Sequence, residues 1–103
     1  MAVVMSMRWP GITPADYDRA LEVVGWEREP AEGGLDHVAW FDGNGLFHVT
    51  DVWESEAAFT KFADERLMPG LQAAGILEGK PPVEIEFATL HRHWAPELAA
   101  TPA

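Results

Sequence analysis

Asp51 is the residue best suited to acid–base chemistry, because it is the one carboxylate in the alternating apolar run 47–53. A carboxylate in that setting can act as a general base or accept a hydrogen bond from a ligand hydroxyl. Left unpaired among apolar side chains it would cost several kcal/mol, so we expect a partner or a wet cavity beside it. The alternative is a structural role, as acceptor for backbone N–H groups around Ser55 or as partner of Arg8 or Arg66.

Tyr17 and His37 are the other candidates for proton transfer. Tyr17 is the only tyrosine and lies on the inner stripe of the first predicted helix, where its hydroxyl could reach a ligand or stay in water above a buried ring. His37 and His48 suit proton transfer or metal binding, and a hydrogen-bonded histidine at an interface is the alternative for each. His91 and His93 could add nitrogens at the end of the last strand. A zinc site needs several ligands in a defined geometry, so we predict no metal.

Aromatic residues could form the walls of a pocket for a flat apolar ligand. The candidates for substrate binding are Trp40, Phe47, Trp53, Phe59 and Phe62. Plain core packing is the alternative, since aromatic side chains bury large areas in small proteins, and the two roles are compatible.

Charge and composition exclude several classes of function. The 103 residues include 17 acids against 7 Lys and Arg, a net charge of −10, which argues against a nucleic-acid binder with a basic face. The absence of cysteine excludes disulfides, thiolate zinc sites and cysteine nucleophiles. No apolar run reaches the roughly 18–20 residues of a membrane span, and the start MAVVMSMRW lacks the basic region of a signal peptide. We therefore expect a cytoplasmic protein with no membrane or nucleic-acid partner.

Hydrophobic periodicity and turn signals predict four strands and two helices. Thr13, Pro14 and Asp16 form a near capping box at the start of the first helix. The predicted strands are 2–9, 35–41, 46–53 and 83–93, and the predicted helices are 13–25 and one that begins after Ser55 and breaks or kinks at Pro69-Gly70.

The order β-α-β-β-α-β predicts an α+β fold of the ferredoxin-like type, with a four-stranded antiparallel sheet and both helices on one face. The other face carries apolar residues and needs a cover. A second copy of the chain is the simplest one, so we expect a homodimer. We assign residues 1–94 to this single domain and expect residues 95–103, rich in Ala and Pro, to form a flexible tail.

The Asn44-Gly45 turn signal predicts which side chains of the two middle strands share a face. A two-residue turn at 43–44 or at 44–45 gives the same partition. One face then carries His37, Ala39, Phe41, Leu46, His48, Thr50 and Val52. The other carries Asp36, Val38, Trp40, Phe47, Val49, Asp51 and Trp53, and we expect this more aromatic face to meet the helices. The two histidines would then point toward the dimer interface, unless a bulge changes the partition.

The run Asp51-Val52-Trp53-Glu54-Ser55, followed by Ala58-Phe59, resembles the dimeric α/β-barrel superfamily, and within it the antibiotic-biosynthesis-monooxygenase-like group. The resemblance implies that two sheets pack face to face in a dimer and that each subunit has a small pocket between helices and sheet. The haem-degrading branch of this group uses an Asn in strand one and a His in the second helix. Here the first place holds Met5 and residues 55–74 contain no His, so we do not expect haem degradation.

The resemblance also implies a reaction. We expect a cofactor-independent monooxygenase for a hydrophobic aromatic or polyketide-like molecule, in which the deprotonated substrate itself passes an electron to oxygen. Trp40 and Trp53 would orient the ring, while Asp51, Tyr17 or His37 would handle protons. Two alternatives stay open: a cyclase or isomerase in the same pocket, and a non-enzymatic dimer that binds a small apolar ligand.

Overall fold

The chain folds with the predicted order of elements. A computed structural model describes residues 1–96. Its elements are β1 (Val3–Trp9), α1 (Pro14–Val24), β2 (Gly34–Phe41), β3 (Phe47–Trp53), α2 (Glu56–Phe62), a π-helical segment (Ala63–Leu67), α3 (Met68–Ala73) and β4 (Glu84–Thr89). The strands form one antiparallel sheet in the order β2-β3-β1-β4. The predicted α+β ferredoxin-like fold is confirmed. From residue 97 onward, the predicted tail lies outside the described residues.

The core lies between the helices and one face of the sheet. Alternate residues of β1 and β3 point into it, namely Met5, Met7, Trp9, Phe47, Val49 and Trp53. Ala20, Phe59 and Leu71 meet them from the helices. Burying a large apolar side chain stabilises a fold by roughly 1.5–3 kcal/mol, so this continuous apolar layer fixes the side of the sheet on which the helices lie.

The first helix has the predicted bounds because both of its caps form. The side-chain oxygen of Thr13 accepts from the Asp16 backbone N–H at 3.1 Å, and the Asp16 carboxylate accepts from the Thr13 N–H at 3.1 Å. At the other end Gly25 adopts the left-handed conformation, with φ of 75°, and donates its N–H to the Leu21 carbonyl. The helix therefore starts and stops at fixed residues and holds Tyr17 on its inner side.

The second helical region continues through Pro69 rather than breaking there. Ser55 caps α2, as predicted, by accepting from the Ala58 N–H at 3.1 Å. The π-helical segment then precedes α3, and Pro69 occupies the second position of α3. The helical backbone does not break at Pro69, and the change of helical type just before it accommodates a residue that has no N–H to donate to the preceding turn.

The β2–β3 hairpin differs from the prediction by one residue. Its turn has three residues, since Asp42 donates its N–H to the Leu46 carbonyl at 3.0 Å and Gly45 donates to the Asp42 carbonyl at 2.9 Å. Gly45 takes a φ of 81°, the left-handed position that a three-residue hairpin needs. The register therefore pairs Phe41 with Phe47 and His37 with Asp51. A further irregularity lies between Gly34 and Asp36.

This register inverts the predicted faces of β2 while leaving those of β3 correct. His37, Ala39 and Phe41 face the helices, opposite Asp51, Val49 and Phe47. The side of the sheet away from the helices, here called the outer face, carries Asp36, Val38 and Trp40 of β2 and His48, Thr50 and Val52 of β3. The predictions that Trp40 and Trp53 share a face, and that His37 and His48 share one, are therefore wrong.

None of the helices in residues 1–96 is both long enough and apolar enough to cross a membrane.

Candidate active site

A cavity of about 240 Å³ lies between the helices and the inner face of the sheet. One side of it is lined by Phe47, Asp51 and Trp53 of β3. Other sides are lined by Tyr17 of α1 and Phe59 of α2. Most of the remaining lining side chains are apolar. An apolar cavity with a few converging polar groups is the usual form of a small-molecule site.

Four of the side chains that line this cavity, Tyr17, His37, Asp51 and Trp53, form one continuous hydrogen-bonded series. Oδ1 of Asp51 lies 2.7 Å from Nδ1 of His37, and Nε2 of His37 lies 2.8 Å from the hydroxyl of Tyr17. The other carboxylate oxygen of Asp51 accepts from the indole N–H of Trp53 at 3.0 Å. We call the first three residues the Tyr17–His37–Asp51 relay.

Local structure explains how three distant positions meet. His37 and Asp51 are direct partners across the β2–β3 pair, and Asp51 and Trp53 are two residues apart on one strand, so they share a face. Tyr17 reaches the same point from the inner side of α1. The partners considered for Asp51 from the sequence lie elsewhere: Arg8 approaches Glu84 at 3.5 Å, and Arg66 donates to backbone carbonyls.

The hydrogen-bond pattern assigns a direction to the relay. An ionised Asp51 can only accept, so His37 carries its hydrogen on Nδ1 and a neutral ring then offers Nε2 as an acceptor. The Tyr17 hydroxyl donates to Nε2, which leaves its oxygen lone pairs for a hydrogen bond from a ligand. A proton can therefore pass from a ligand hydroxyl through Tyr17 to His37, where Asp51 stabilises the resulting imidazolium.

Burial keeps the Tyr17 hydroxyl protonated. Burial is the largest cause that raises the pKa of Tyr17 above its ordinary value, and the negative charges of Glu27, Asp51 and Asp18 raise it further. Tyr17 is therefore a neutral hydrogen-bond donor and acceptor in the relay at physiological pH.

Trp26 is a residue of the site that the sequence analysis missed. Its ring lines the cavity and stands edge-on to Tyr17 at 5.8 Å and to His37 at 5.6 Å. Its buried indole N–H has no hydrogen-bond partner among the described residues. The sequence signal for Trp26 was its position: a large aromatic residue directly after the Gly25 cap, at the start of a charged loop, is expected to pack against the core.

Arg66 holds the loop that carries Trp26 against the π-helical segment. Its guanidinium donates to the Val24 carbonyl at 3.2 Å and to the Glu29 carbonyl at 2.7 Å. The same group lies over the ring of Phe62, 5.2 Å from its centroid. The π-helical segment and the loop thus form one supported wall of the cavity.

The structure brings most of the predicted site residues together. Those that line the cavity are Tyr17, His37, Phe47, Asp51, Trp53, Phe59 and Phe62. The prediction that Trp40 lines the pocket is wrong. It lies on the outer face and stacks on His48 at 5.0 Å, because the three-residue turn changes the register of β2.

The remaining histidines lie outside the relay. His48 bonds to the Asp42 carboxylate at 2.8 Å, and this hydrogen bond is the main cause that lowers the pKa of Asp42. His93 bonds to Asp36 at 2.9 Å. Across residues 1–96 no three acidic or histidine side chains gather in a way that could hold a metal ion.

The four-stranded sheet with helices on one side is the fold of solved structures described as candidate antibiotic biosynthesis monooxygenases. No family model matches the sequence, and no curated protein matches it either. The likeness is therefore carried by solved structures.

Three of these structures span nearly the whole chain. NE2512 from Nitrosomonas europaea, a protein of unknown function, is 20% identical and covers 92% of this chain and 94% of its own, with a TM-score of 0.66. SnoaB, a cofactor-independent oxygenase from Streptomyces nogalater, is 18% identical and covers 89% of this chain and 95% of its own, with a TM-score of 0.61. A protein named as a candidate antibiotic biosynthesis monooxygenase from Caulobacter crescentus is 13% identical and covers 88% of this chain and 91% of its own, with a TM-score of 0.64. At these identities the comparison shows the fold alone.

Proposed function

We propose that this protein is a cofactor-independent monooxygenase that acts on a hydrophobic aromatic or polyketide-like molecule in the cavity between helices and sheet. The observation that carries the proposal is the Tyr17–His37–Asp51 relay, a continuous proton path that ends in an otherwise apolar pocket. The likeness in fold to a cofactor-independent oxygenase supports the same reaction class.

The relay supplies the proton transfer that such a reaction needs. A substrate with an acidic hydroxyl or methylene group gives its proton to Tyr17 as Tyr17 passes its own to Nε2 of His37. The electron-rich substrate anion transfers an electron to molecular oxygen, and the two radicals combine to a peroxide that the imidazolium protonates. Loss of a second substrate proton with cleavage of the O–O bond gives a carbonyl. One oxygen atom stays in the product and the other leaves as water.

The aromatic walls hold the ring of the substrate. Trp53 is fixed by its N–H bond to Asp51 and by edge contact with Phe59 at 5.4 Å, so it offers a rigid surface. Phe47 and Phe62 complete the apolar lining near it. A substrate held in one orientation presents its acidic hydrogen to Tyr17, which lowers the entropic part of the barrier.

Oxygen uptake with a panel of anthrones and quinols tests the reaction. We expect the wild-type protein to accelerate uptake and the His37→Gln variant to lose about 10²-fold or more of that rate. His48→Gln is the matched control, since His48 lies on the outer face, and it should keep the rate. Uptake that does not depend on protein would refute the proposal.

Cyclisation or isomerisation is the second candidate. The relay moves protons, and a cyclase of this fold would need only that and the shape of the pocket. Turnover of a substrate without oxygen consumption would favour this reaction over oxidation. Ligand affinity that responds to changes at Asp51 or His37, with no reaction under any condition, would instead favour a binding protein.

We also propose a homodimer formed through the outer face. Val38 and Trp40 are 53% and 42% exposed there, which is a large apolar exposure for a sheet surface. A second copy would cover them as one sheet packs on the other. We also propose that this dimer is cytoplasmic. The chain has no cysteine, so its fold does not depend on the oxidising conditions under which disulfides form.

A further inference from the structure

Carboxylates line the cavity beside the relay. Asp51 lies at the base of the cavity at 7% exposure, and Asp16 also contributes to the lining. The carboxylate of Asp36 lies on the outer face, where it bonds to His93. Burial would raise the pKa of Asp16, but hydrogen bonds from Thr13 and from Lys80 outweigh it and lower the pKa below its ordinary value. Because Lys80 lies 3.4 Å from Asp16 and balances its charge, Asp51 is the carboxylate that places negative charge in the cavity.

Within residues 1–96, no lysine or arginine lines this cavity. Three basic side chains beside lining residues already have partners within the protein. Lys80 pairs with Asp16 at 3.4 Å, Arg66 donates to the Val24 and Glu29 carbonyls, and Arg28 donates to the Glu22 carbonyl at 2.8 Å. A ligand anion would have no free cation to meet in the pocket.

Tyr17 stands near several negative charges at the point where a ligand hydroxyl would bind. After burial, the causes that raise its pKa are the negative charges of Glu27, Asp51 and Asp18. The same field that disfavours a tyrosinate disfavours a ligand carboxylate or phosphate beside it.

From this placement of charges we infer that the pocket admits its ligand only as an uncharged molecule and excludes substrates that carry a carboxylate or phosphate. The inference rests on the proposed function, because it concerns the substrate class of the same cavity. A neutral hydroxyl finds an acceptor in the Tyr17 oxygen, whereas an anion would lose its water and face Asp51. When a neutral substrate ionises inside the cavity, the imidazolium of His37 forms in the same step and balances the new charge.

A matched pair of probes tests the inference. 6-Hydroxy-2-naphthamide and 6-hydroxy-2-naphthoate have the same ring, hydroxyl and shape, and differ in one negative charge. Titration calorimetry on the intact protein at neutral pH should show the amide binding at least about tenfold more tightly, since repulsion between two charges at a partly buried site is large on this scale.

The Asp51→Asn variant identifies the source of the selectivity. It removes one negative charge from the lining of the cavity, so the ratio of the two binding affinities should fall. Asp64→Asn is the control, because Asp64 is exposed on the π-helical segment and does not line the cavity, and it should leave the preference unchanged.

Each outcome decides a different point. Equal or tighter binding of the carboxylate overturns the inference but leaves the proposed pocket and reaction in place. A preference that survives Asp51→Asn unchanged overturns the assignment of the selectivity to the charge of Asp51. Failure of both probes to bind, together with no oxygen uptake from the neutral panel, overturns the proposed function and the inference with it.

Discussion

Oδ1 of Asp51 lies 2.7 Å from Nδ1 of His37, directly across the β2–β3 ladder. The two side chains meet because the hairpin register makes them partners on the inner face of the sheet. The side chain of Asp51 is nearly buried and that of His37 is partly open to the cavity, so the pair links the core to the cavity. The contact gives Asp51 a structural role beside the proton-transfer role proposed for it.

Asp51→Ala should lower the free energy of unfolding by about 1–3 kcal/mol. Two donors lose their acceptor, but water can replace Asp51 only at His37, because Trp53 is 4% exposed. The buried indole N–H therefore accounts for most of the loss. Urea denaturation measures it.

The Trp53→Phe background separates this hydrogen bond from other effects of the Asp51 change. With the indole N–H absent, Asp51→Ala should cost clearly less than in the wild-type protein, so the double-mutant cycle should show coupling. Strict additivity of the two changes would contradict the account of Asp51 as the acceptor of Trp53.

Tyr17 should ionise above the ordinary tyrosine pKa of about 10. Burial first, and then Glu27, Asp51 and Asp18, raise its pKa. It is the only tyrosine, so the phenolate absorbance in an alkaline titration reports this group alone. Asp51→Asn removes one of the causes and should move the titration back toward the ordinary value. A wild-type phenolate that forms at or below the ordinary pKa would contradict the buried relay.

The same pKa shift predicts a loss of stability at high pH. Because the folded-state pKa of Tyr17 is raised, the unfolded chain releases this proton first. The contribution is complete below the unfolded pKa of about 10 and is lost as the pH rises from there toward the folded pKa. Thermal melts across this range should show that Tyr17→Phe removes part of the alkaline decline.

The sequence predicted the fold and the inner face of β3, because both follow from strong apolar alternation. It failed at β2 because Asp42-Gly43-Asn44-Gly45 carries glycines that allow turns of two or three residues. A change of one residue in the turn inverts every side chain of the strand before it. Trp40 and His37 therefore exchanged their predicted faces.

The candidate relay could be predicted only in part. Asp51 and Trp53 share a face through simple alternation along one strand, so their closeness followed from the sequence. The contact from His37 to Asp51 depends on the register, and the contact from His37 to Tyr17 depends on how α1 packs on the sheet. Neither relation is encoded by spacing along the chain.

Val38→Asp should weaken the proposed dimer. The side chain is 53% exposed on the outer face, and a charge there would be buried without a partner when two sheets pack together. Sedimentation at micromolar concentration should find a dimer for the wild-type chain and a shift toward monomer for the variant. Val23→Asp is the control, since Val23 is 45% exposed on α1 and away from the outer face. A wild-type chain that sediments as a monomer would contradict the proposed interface.

Gly33→Ala should destabilise the junction between the loop that precedes β2 and α2. Gly33 has a φ of 85°, and an added Cβ would lie 2.7 Å from the Cβ of Ala58. The left-handed backbone and the overlap together should lower the free energy of unfolding by about 2–4 kcal/mol. Its carbonyl also accepts from the Glu54 N–H at 2.8 Å, which ties the start of β2 to the end of β3. Chemical denaturation measures the loss.

Gly43→Ala is the matched control for the same substitution. A Cβ at Gly43 would meet no atom within 4 Å, and its φ is not in the left-handed region, so its effect should stay within about 0.5 kcal/mol. Because the ring of Trp53 would lie 3.5 Å from a Cβ at the adjoining Gly34, a displaced junction should also move the aromatic wall of the cavity. Gly33→Ala should therefore weaken binding of 6-hydroxy-2-naphthamide, whereas Gly43→Ala should not. Equal stability of the two variants would show that the chain relaxes around Ala58 and that the junction does not constrain the pocket.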